Sequence, residues 1–152
     1  MRVLAIDLGR RRVGLAVSDS SRTLARPLTT LTVGRDRLRD AARHAELANT
    51  VELVLREVTR LAAEDDGLST IVVGVPVRLD GSRNEETERV SAFMEALSAR
   101  TPIPIVGEGE RLTSREAESR LAVNERDWRK RKARLDAAAA AIILQDYLDR
   151  GK

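Results

Sequence analysis

Hydrophobic positions in this chain follow two rhythms, and the switches between them outline a fold. Residues 2–8 (RVLAIDL) and 12–18 (RVGLAVS) are short apolar runs that predict two strands joined by a tight turn at Gly9–Arg11, the pattern of a β-hairpin. A third strand is expected through Pro27–Val33, with Pro27 at its start, where a missing N–H does little harm. From Asp36 to Asp66 the period turns helical. Leu47, Val51, Val54, Leu55, Val58, Leu61 and Ala62 recur at helical spacing, and Asp65–Asp66–Gly67 ends the run.

The β-branched stretch STIVVGVPV (69–77) then suits a strand covered on both faces, as in parallel pairing. LDGSRNEE (79–86) reads as a loop, and Ser82 with Glu85 forms a capping-box pattern for a helix through Leu97. TPIPIVGEGE (101–110) predicts another strand, with its apolar part at Ile103–Val106 and its two prolines near the start. Thr113 and Glu116 make a second capping-box pattern, for a helix ending near Asn124. A charged stretch, ERDWRKRKAR (125–134), leads to a final helix, LDAAAAAIILQDYLDR (135–150). Three antiparallel strands followed by βαβ units predict an α/β fold: one mixed five-stranded sheet with helices on its faces. No internal repeat or Gly/Pro/Ser-rich linker interrupts the pattern, so a single domain over residues 1–152 is expected.

Composition narrows the class. Aromatics are only 2% of the 152 residues, so Leu, Val, Ile and Ala must build the core. Cysteine is absent, which removes disulfides and thiolate metal sites and fits a reducing compartment. No apolar run approaches the roughly 20 residues that span a bilayer, and the N-terminal pattern is strand-like rather than that of a signal peptide. A cytoplasmic protein with no membrane partner is expected. The net charge of +3 is modest, but its distribution is uneven. Arg126, Arg129, Lys130, Arg131, Lys132 and Arg134 surround Trp128, the one tryptophan of the chain. A charge run is commonly a solvated face. From Trp128 onward this one is of a single sign; it holds a stacking side chain and leads straight to Asp136, so it is a candidate nucleic-acid contact. Arg10, Arg11 and Arg12 sit in the predicted hairpin turn, either as an ordinary polar tip or as phosphate contacts.

Three acids stand out by position. Asp7 interrupts an apolar strand, although Asp is depleted in strands and is rarely buried without a partner. It either ends the strand and caps the turn or belongs to a site. Glu110 follows an apolar strand just before a predicted helix, where sites in parallel βαβ sheets gather; a solvated loop acid, a role Glu108 would serve equally well, is the plainer reading. Asp136 is expected to open the last helix, where an acid favours the helix dipole. The alanines after it would let the helix lie close to the sheet. Were the three to converge, each pair of charges about 4 Å apart would cost about 4 kcal/mol at an effective dielectric near 20. Such a cluster persists with some acids protonated or with divalent cations between them. Oxygen donors without His or Cys suit Mg²⁺ or Mn²⁺, and two such ions would clamp the attacking and leaving oxygens of a phosphodiester.

Four segments, IDLGRRRVGLAVSD at the N-terminus, VVGVPVRLDG in the middle, ERLTS later and LDAAAAAIILQDYL at the end, together resemble the YqgF/RuvX family in order and spacing. That resemblance implies an RNase H-like fold and a site of Asp7, Glu110 and Asp136 holding Mg²⁺ or Mn²⁺, as two ions. It also implies a nuclease, described in the family as acting on pre-16S ribosomal RNA or as Holliday-junction-resolvase-like. Arg111 and Thr113 would orient the site from behind. The family has an acid immediately before the Glu, where this chain has Gly109, and Glu108 is a partial replacement. The expected partner is nucleic acid: structured RNA first, branched DNA as the alternative. Symmetric junction cutting would need a homodimer. A non-catalytic nucleic-acid adaptor and an actin-like nucleotide-binding ATPase are the competing classes, the latter disfavoured because such proteins close two domains around the nucleotide.

Overall fold

The computed structural model describes residues 1–9, 11–33, 40–76, 85–110 and 128–151, with backbone alone at 40–44, 110 and 128–135. Its strands are β1 (Arg2–Leu8), β2 (Arg12–Ser18), β3 (Ala25–Thr32), β4 (Leu68–Pro76) and β5 (Ile105–Glu110). The helices are α1 (Asp40–Ala63), α2 (Glu85–Ser98) and α3 (Trp128–Arg150). The five strands form one sheet in the order β3-β2-β1-β4-β5. β1 pairs antiparallel with β2 and parallel with β4, β2 pairs antiparallel with β3, and β4 pairs parallel with β5. This is the mixed sheet that the alternation of elements predicts.

Alternation along β1 divides the core into two layers. Leu4, Ile6 and Leu8 point to one face, where they pack with Val51, Val54, Val58 and Leu61 of α1 and with Val90, Phe93 and Leu97 of α2. Val3 and Ala5 point to the other face and pack with Ala140, Ile143, Leu144 and Leu148 of α3. Helices therefore cover both faces. The α3 layer is built from small residues on both sides of the contact, Ala5 and Ala16 below and Ala140 above, all fully buried. Short side chains bring a helix backbone close to a sheet, and that closeness shapes the site described below.

Arg2 ties the first strand to the end of α1. Although buried, it donates to the carbonyls of Leu61 (3.1 Å) and Gly67 (3.3 Å) and pairs with Glu64 at 3.0 Å. The last carbonyls of a helix lack partners within it, and a guanidinium suits them in both hydrogen bonding and charge. Gly67, at φ +60°, turns the chain from α1 into β4.

Several boundaries differ from the sequence pattern. β3 starts at Ala25, so Pro27 lies inside the strand. It is tolerated because β3 is an edge strand and the pairing skips there, with Leu15 opposite Thr29 but Ala16 opposite Pro27. β5 starts only at Ile105, after both prolines, and runs on to Glu110, so Glu108 and Glu110 are strand residues rather than loop acids. The expected helix from Thr113 to Asn124 lies outside the described residues, as does Ser82. The final helix is longer than its apolar pattern, starting at Trp128. Asp136 therefore does not open it but sits more than two turns inside, which removes the helix-dipole role expected of it.

Candidate active site

β1, β4 and β5 run parallel, so their C-terminal ends share one edge of the sheet, where ligands of such sheets gather. Asp7 is the penultimate residue of β1 and Glu110 the last of β5, opposite Pro76. By strand alternation Asp7 shares the face of Val3 and Ala5, the face that α3 covers. It is half-buried there and pairs with Gly14 of β2.

Gly14 brings in the second acid. A Cβ at position 14 would lie 2.0 Å from the Asp136 carbonyl oxygen, 2.4 Å from its carbon and 3.0 Å from the Ala137 nitrogen. The backbone of α3 thus rests on β2 at Gly14, and directly paired residues of antiparallel strands have Cα atoms only about 4.5–5.5 Å apart. Asp7 and Asp136, from opposite ends of the chain, are neighbours through this glycine. Ala137, Ala139 and Ala140, all buried, follow Asp136 and keep the helix close.

Arg12 supplies the local counter-charge. It begins β2 two residues before Gly14, on the same face, and its Nε lies 3.1 Å from Asp136 Oδ2, each side chain about a quarter exposed. The hairpin that carries it is tightly held. Gly9 N–H donates to the Arg12 carbonyl at 2.9 Å, and Val33 N–H donates to the Arg11 carbonyl at 2.8 Å. A Cβ at Gly9 would meet that Arg12 carbonyl at 2.4 Å, so the turn requires glycine. From α2, Arg89 donates to the carbonyls of Leu8 (3.4 Å) and Gly9, pinning the exit of β1 just beyond Asp7.

Glu108 faces the α3 side further along. It is buried opposite Gly74, with Oε1 2.8 Å from Arg150 Nη1. It is therefore engaged with the far end of α3, in a cavity of about 500 Å³ also lined by Val3, Arg22, Tyr147 and Leu148.

The other expected contacts divide as follows. Arg11 is exposed on the turn, while Arg10 lies outside the described residues. Trp128, Arg129, Lys130, Arg131, Lys132 and Arg134 form the first turns of α3 by backbone, and Arg126, Arg111 and Thr113 lie outside the described residues. The side chain of Glu110 also lies outside them. Among the described residues, no three acids or histidines are grouped as metal ligands, and no helix is long and apolar enough to cross a membrane. Two contributors escape the sequence reading. Gly14 carries a signal, since an isolated glycine within a strand pattern marks close backbone approach. Arg89 carries none, being one charged residue among many on an amphipathic helix.

A family profile described as "RuvX: Holliday junction resolvase" matches residues 1–150. A protein of Chloroflexus aurantiacus named "Putative pre-16S rRNA nuclease" is 38% identical over 147 residues, covering 97% of this chain and 86% of its own. One of the same name from an Anaeromyxobacter species (strain Fw109-5) is 40% identical over 149 residues, covering 98% and 97%. Among solved structures, Thermus thermophilus RuvC superposes with a TM-score of 0.59 at 17% identity, over 99% of this chain and 96% of that one. The same protein in complex with Holliday junction substrate gives 0.58 at 19% identity, with the same coverage. These two likenesses show the fold.

Proposed function

The chain belongs to the RuvX family, and on that premise we propose that it is a divalent-metal-dependent nuclease that hydrolyses phosphodiester bonds at the 5′ end of precursor 16S ribosomal RNA. The observation that carries this reading is the seating of Asp136 on Gly14 beside Asp7. A strand glycine with no room for a side chain has one evident use here, to bring a helix acid next to a strand acid. The names of the relatives supply the substrate.

The donor set fits the cation that such chemistry uses. Asp7, Asp136 and Glu110 offer only hard carboxylate oxygens, the preference of Mg²⁺ and Mn²⁺, and these three would hold one ion or two. Bound there, the cations would supply an activated water and stabilisation of the leaving oxygen.

The protein's own groups do the rest. Asp7 is held by its pairing with Gly14 of β2, one residue beyond the Ile6–Val73 pair that joins β1 to β4, and by Arg89 on the carbonyls that follow it. Arg10, Arg11 and Arg12 meet backbone phosphates at the hairpin. Trp128 stacks on an unpaired base, and Arg126, Arg129, Lys130, Arg131, Lys132 and Arg134 hold the strand that leads to the site. α3 is continuous from Trp128 to Asp136, and at about 1.5 Å per residue the basic segment begins about 12 Å along the helix from the acid. Arg111 and Thr113 steady Glu110. The protein works in the cytoplasm.

Cleavage of labelled structured RNA, single-stranded DNA and a four-way junction, in Mg²⁺ and in Mn²⁺, tests this directly. RNA cleavage by the wild type, abolished in Asp7→Asn with RNA binding retained, is expected. Preferential, symmetric cutting of the junction by a homodimer would replace the RNA reading with the resolvase one. Biological activity that survives Asp7→Asn would mean an adaptor rather than an enzyme.

A further inference from the structure

Arg12 is expected to meet substrate phosphate, yet its guanidinium lies against Asp136, an acid assigned above to the cation. We propose that Arg12 is an exchangeable counter-ion. It neutralises Asp136 while the site is empty and moves to a backbone phosphate when nucleic acid arrives, releasing the carboxylate, so that substrate and divalent cation bind cooperatively. The proposal rests on the reading of Asp7, Glu110 and Asp136 as the cation site and adds to it a reason for the order of assembly.

Three observations support the exchange. First, the guanidinium is reachable: the Arg12 side chain is about a quarter exposed, although the Asp136 Oδ2 it faces is buried, so a phosphate can compete for Arg12 from the solvent side. Arginine binds carboxylate and phosphate with the same planar fork. Second, the movement is confined to a side chain. The Gly9 N–H to Arg12 carbonyl bond, the Val33 N–H to Arg11 carbonyl bond and the pairing of Arg12 with Thr32 fix the backbone on both sides of it. Asp136 is equally fixed, because its backbone is seated on Gly14. Third, the charges require it. A guanidinium 3.1 Å from a carboxylate oxygen opposes a second cation at that carboxylate, while Asp7 nearby disfavours withdrawing that positive charge with no cation in its place. One movable positive charge resolves both conflicts, satisfying Asp136 before the cation arrives and the phosphate afterwards.

Because binding coupling is reciprocal, the test reads cation affinity rather than turnover. Free Mn²⁺ is followed by electron paramagnetic resonance during titration of the wild type, Arg12→Gln and Asp7→Asn. Each titration is run with and without a short oligoribonucleotide whose integrity is checked after the reading. The wild type is expected to bind Mn²⁺ about five-fold or more tightly when RNA is present. Arg12→Gln is expected to bind Mn²⁺ more tightly than the wild type without RNA and to gain little from RNA. A general through-space effect of removing one positive charge would tighten binding equally in both conditions, and that outcome overturns exchange. So does a wild type whose Mn²⁺ affinity ignores RNA, a result that needs no variant. If Asp7→Asn binds Mn²⁺ as well as the wild type, the site assignment itself fails. If Asp7→Asn is weakened while Arg12→Gln behaves like the wild type, only the counter-ion role fails.

Discussion

The carbonyl of Asp136 occupies the space that a side chain at Gly14 would need: a Cβ built there lies 2.0 Å from that oxygen. One missing side chain thus sets how deeply α3 sits on the sheet, and it does so beside Asp7. The alanines of α3 and the Ala5–Ala16 floor are consistent with the same close packing.

Replacing Gly14 with Ala should therefore damage activity more than stability. The added carbon meets backbone on both the carbonyl and the next nitrogen, so the helix must shift rather than a rotamer. Overpacking of this kind costs about 1–3 kcal/mol. Displacing an acid by about 1 Å can lower turnover by about 100-fold. Gly107→Ala is the comparison: its Cβ would meet the Val75 Cγ2 at 3.0 Å and the Met94 Cε at 3.6 Å, side chains able to adjust. Urea midpoints and kcat for the two variants check this, and equal losses in kcat would deny Gly14 its special place.

The sheet was legible because its two signals are local. Apolar runs with turn residues gave β1, β2 and β4, and the helical period of Val51, Val54 and Val58 gave α1. Boundaries failed where tertiary context decided them. Pro27 is accommodated by an edge position and a skipped pairing that no local pattern reveals, and the basic start of α3 hid helix behind charge. For the candidate site, residue type pointed to Asp7, Asp136 and Arg12. What could not be read was the relation among them. That Asp136 sits mid-helix on Gly14, that Arg12 turns inward to it, and that Arg89 of α2 holds Leu8 and Gly9 are all products of chain crossing.

Asp7→Asn removes one of two acids whose backbones meet at Gly14, while keeping shape. In a chelating buffer the change should raise the melting temperature, because it relieves repulsion between the two acids. A gain of about 0.5–1 kcal/mol corresponds to roughly 1–4 °C for a chain of this size. Adding Mg²⁺ should stabilise the wild type and leave the variant unchanged. Calorimetric scans with and without Mg²⁺ decide it; a lower melting temperature for the variant in chelator contradicts the account of Asp7.

Arg89→Ala tests the support behind Asp7. The lost contacts are charge-assisted bonds to the Leu8 and Gly9 carbonyls from a side chain one-third exposed, which suggests a destabilisation of about 1 kcal/mol after allowing for solvent. The larger effect should be on kcat, roughly ten-fold lower, with KM and the salt dependence of RNA binding little changed, because Arg89 positions the turn and does not meet phosphate. Arg89→Lys, able to reach a carbonyl but not to fork between two, should recover part of kcat. A change in salt slope instead would reassign Arg89 to direct substrate contact.

The turn between β2 and β3 carries a pH signature independent of the site. Asp19 Oδ1 accepts the backbone N–H of Thr23 at 2.8 Å and of Leu24 at 3.2 Å, and these bonds hold its carboxyl below the ordinary value of 3.8. Because the folded state lowers this affinity for protons, Asp19 stabilises the fold above the unfolded value, and its contribution is lost as pH falls through the lower folded one. Asp19→Ala should therefore be less stable than the wild type at pH 6, and the gap should narrow progressively below about pH 4, the ordinary Asp range. Arg22 in the same turn adopts φ +58°, a conformation that glycine takes without strain. Arg22→Gly should thus be tolerated at every pH, which separates loss of the carboxylate from mere disturbance of the turn. Urea midpoints of the three proteins from pH 6 to pH 3 provide the measurement, and a gap for Asp19→Ala that is constant across that range would show that the carboxylate's charge plays no part.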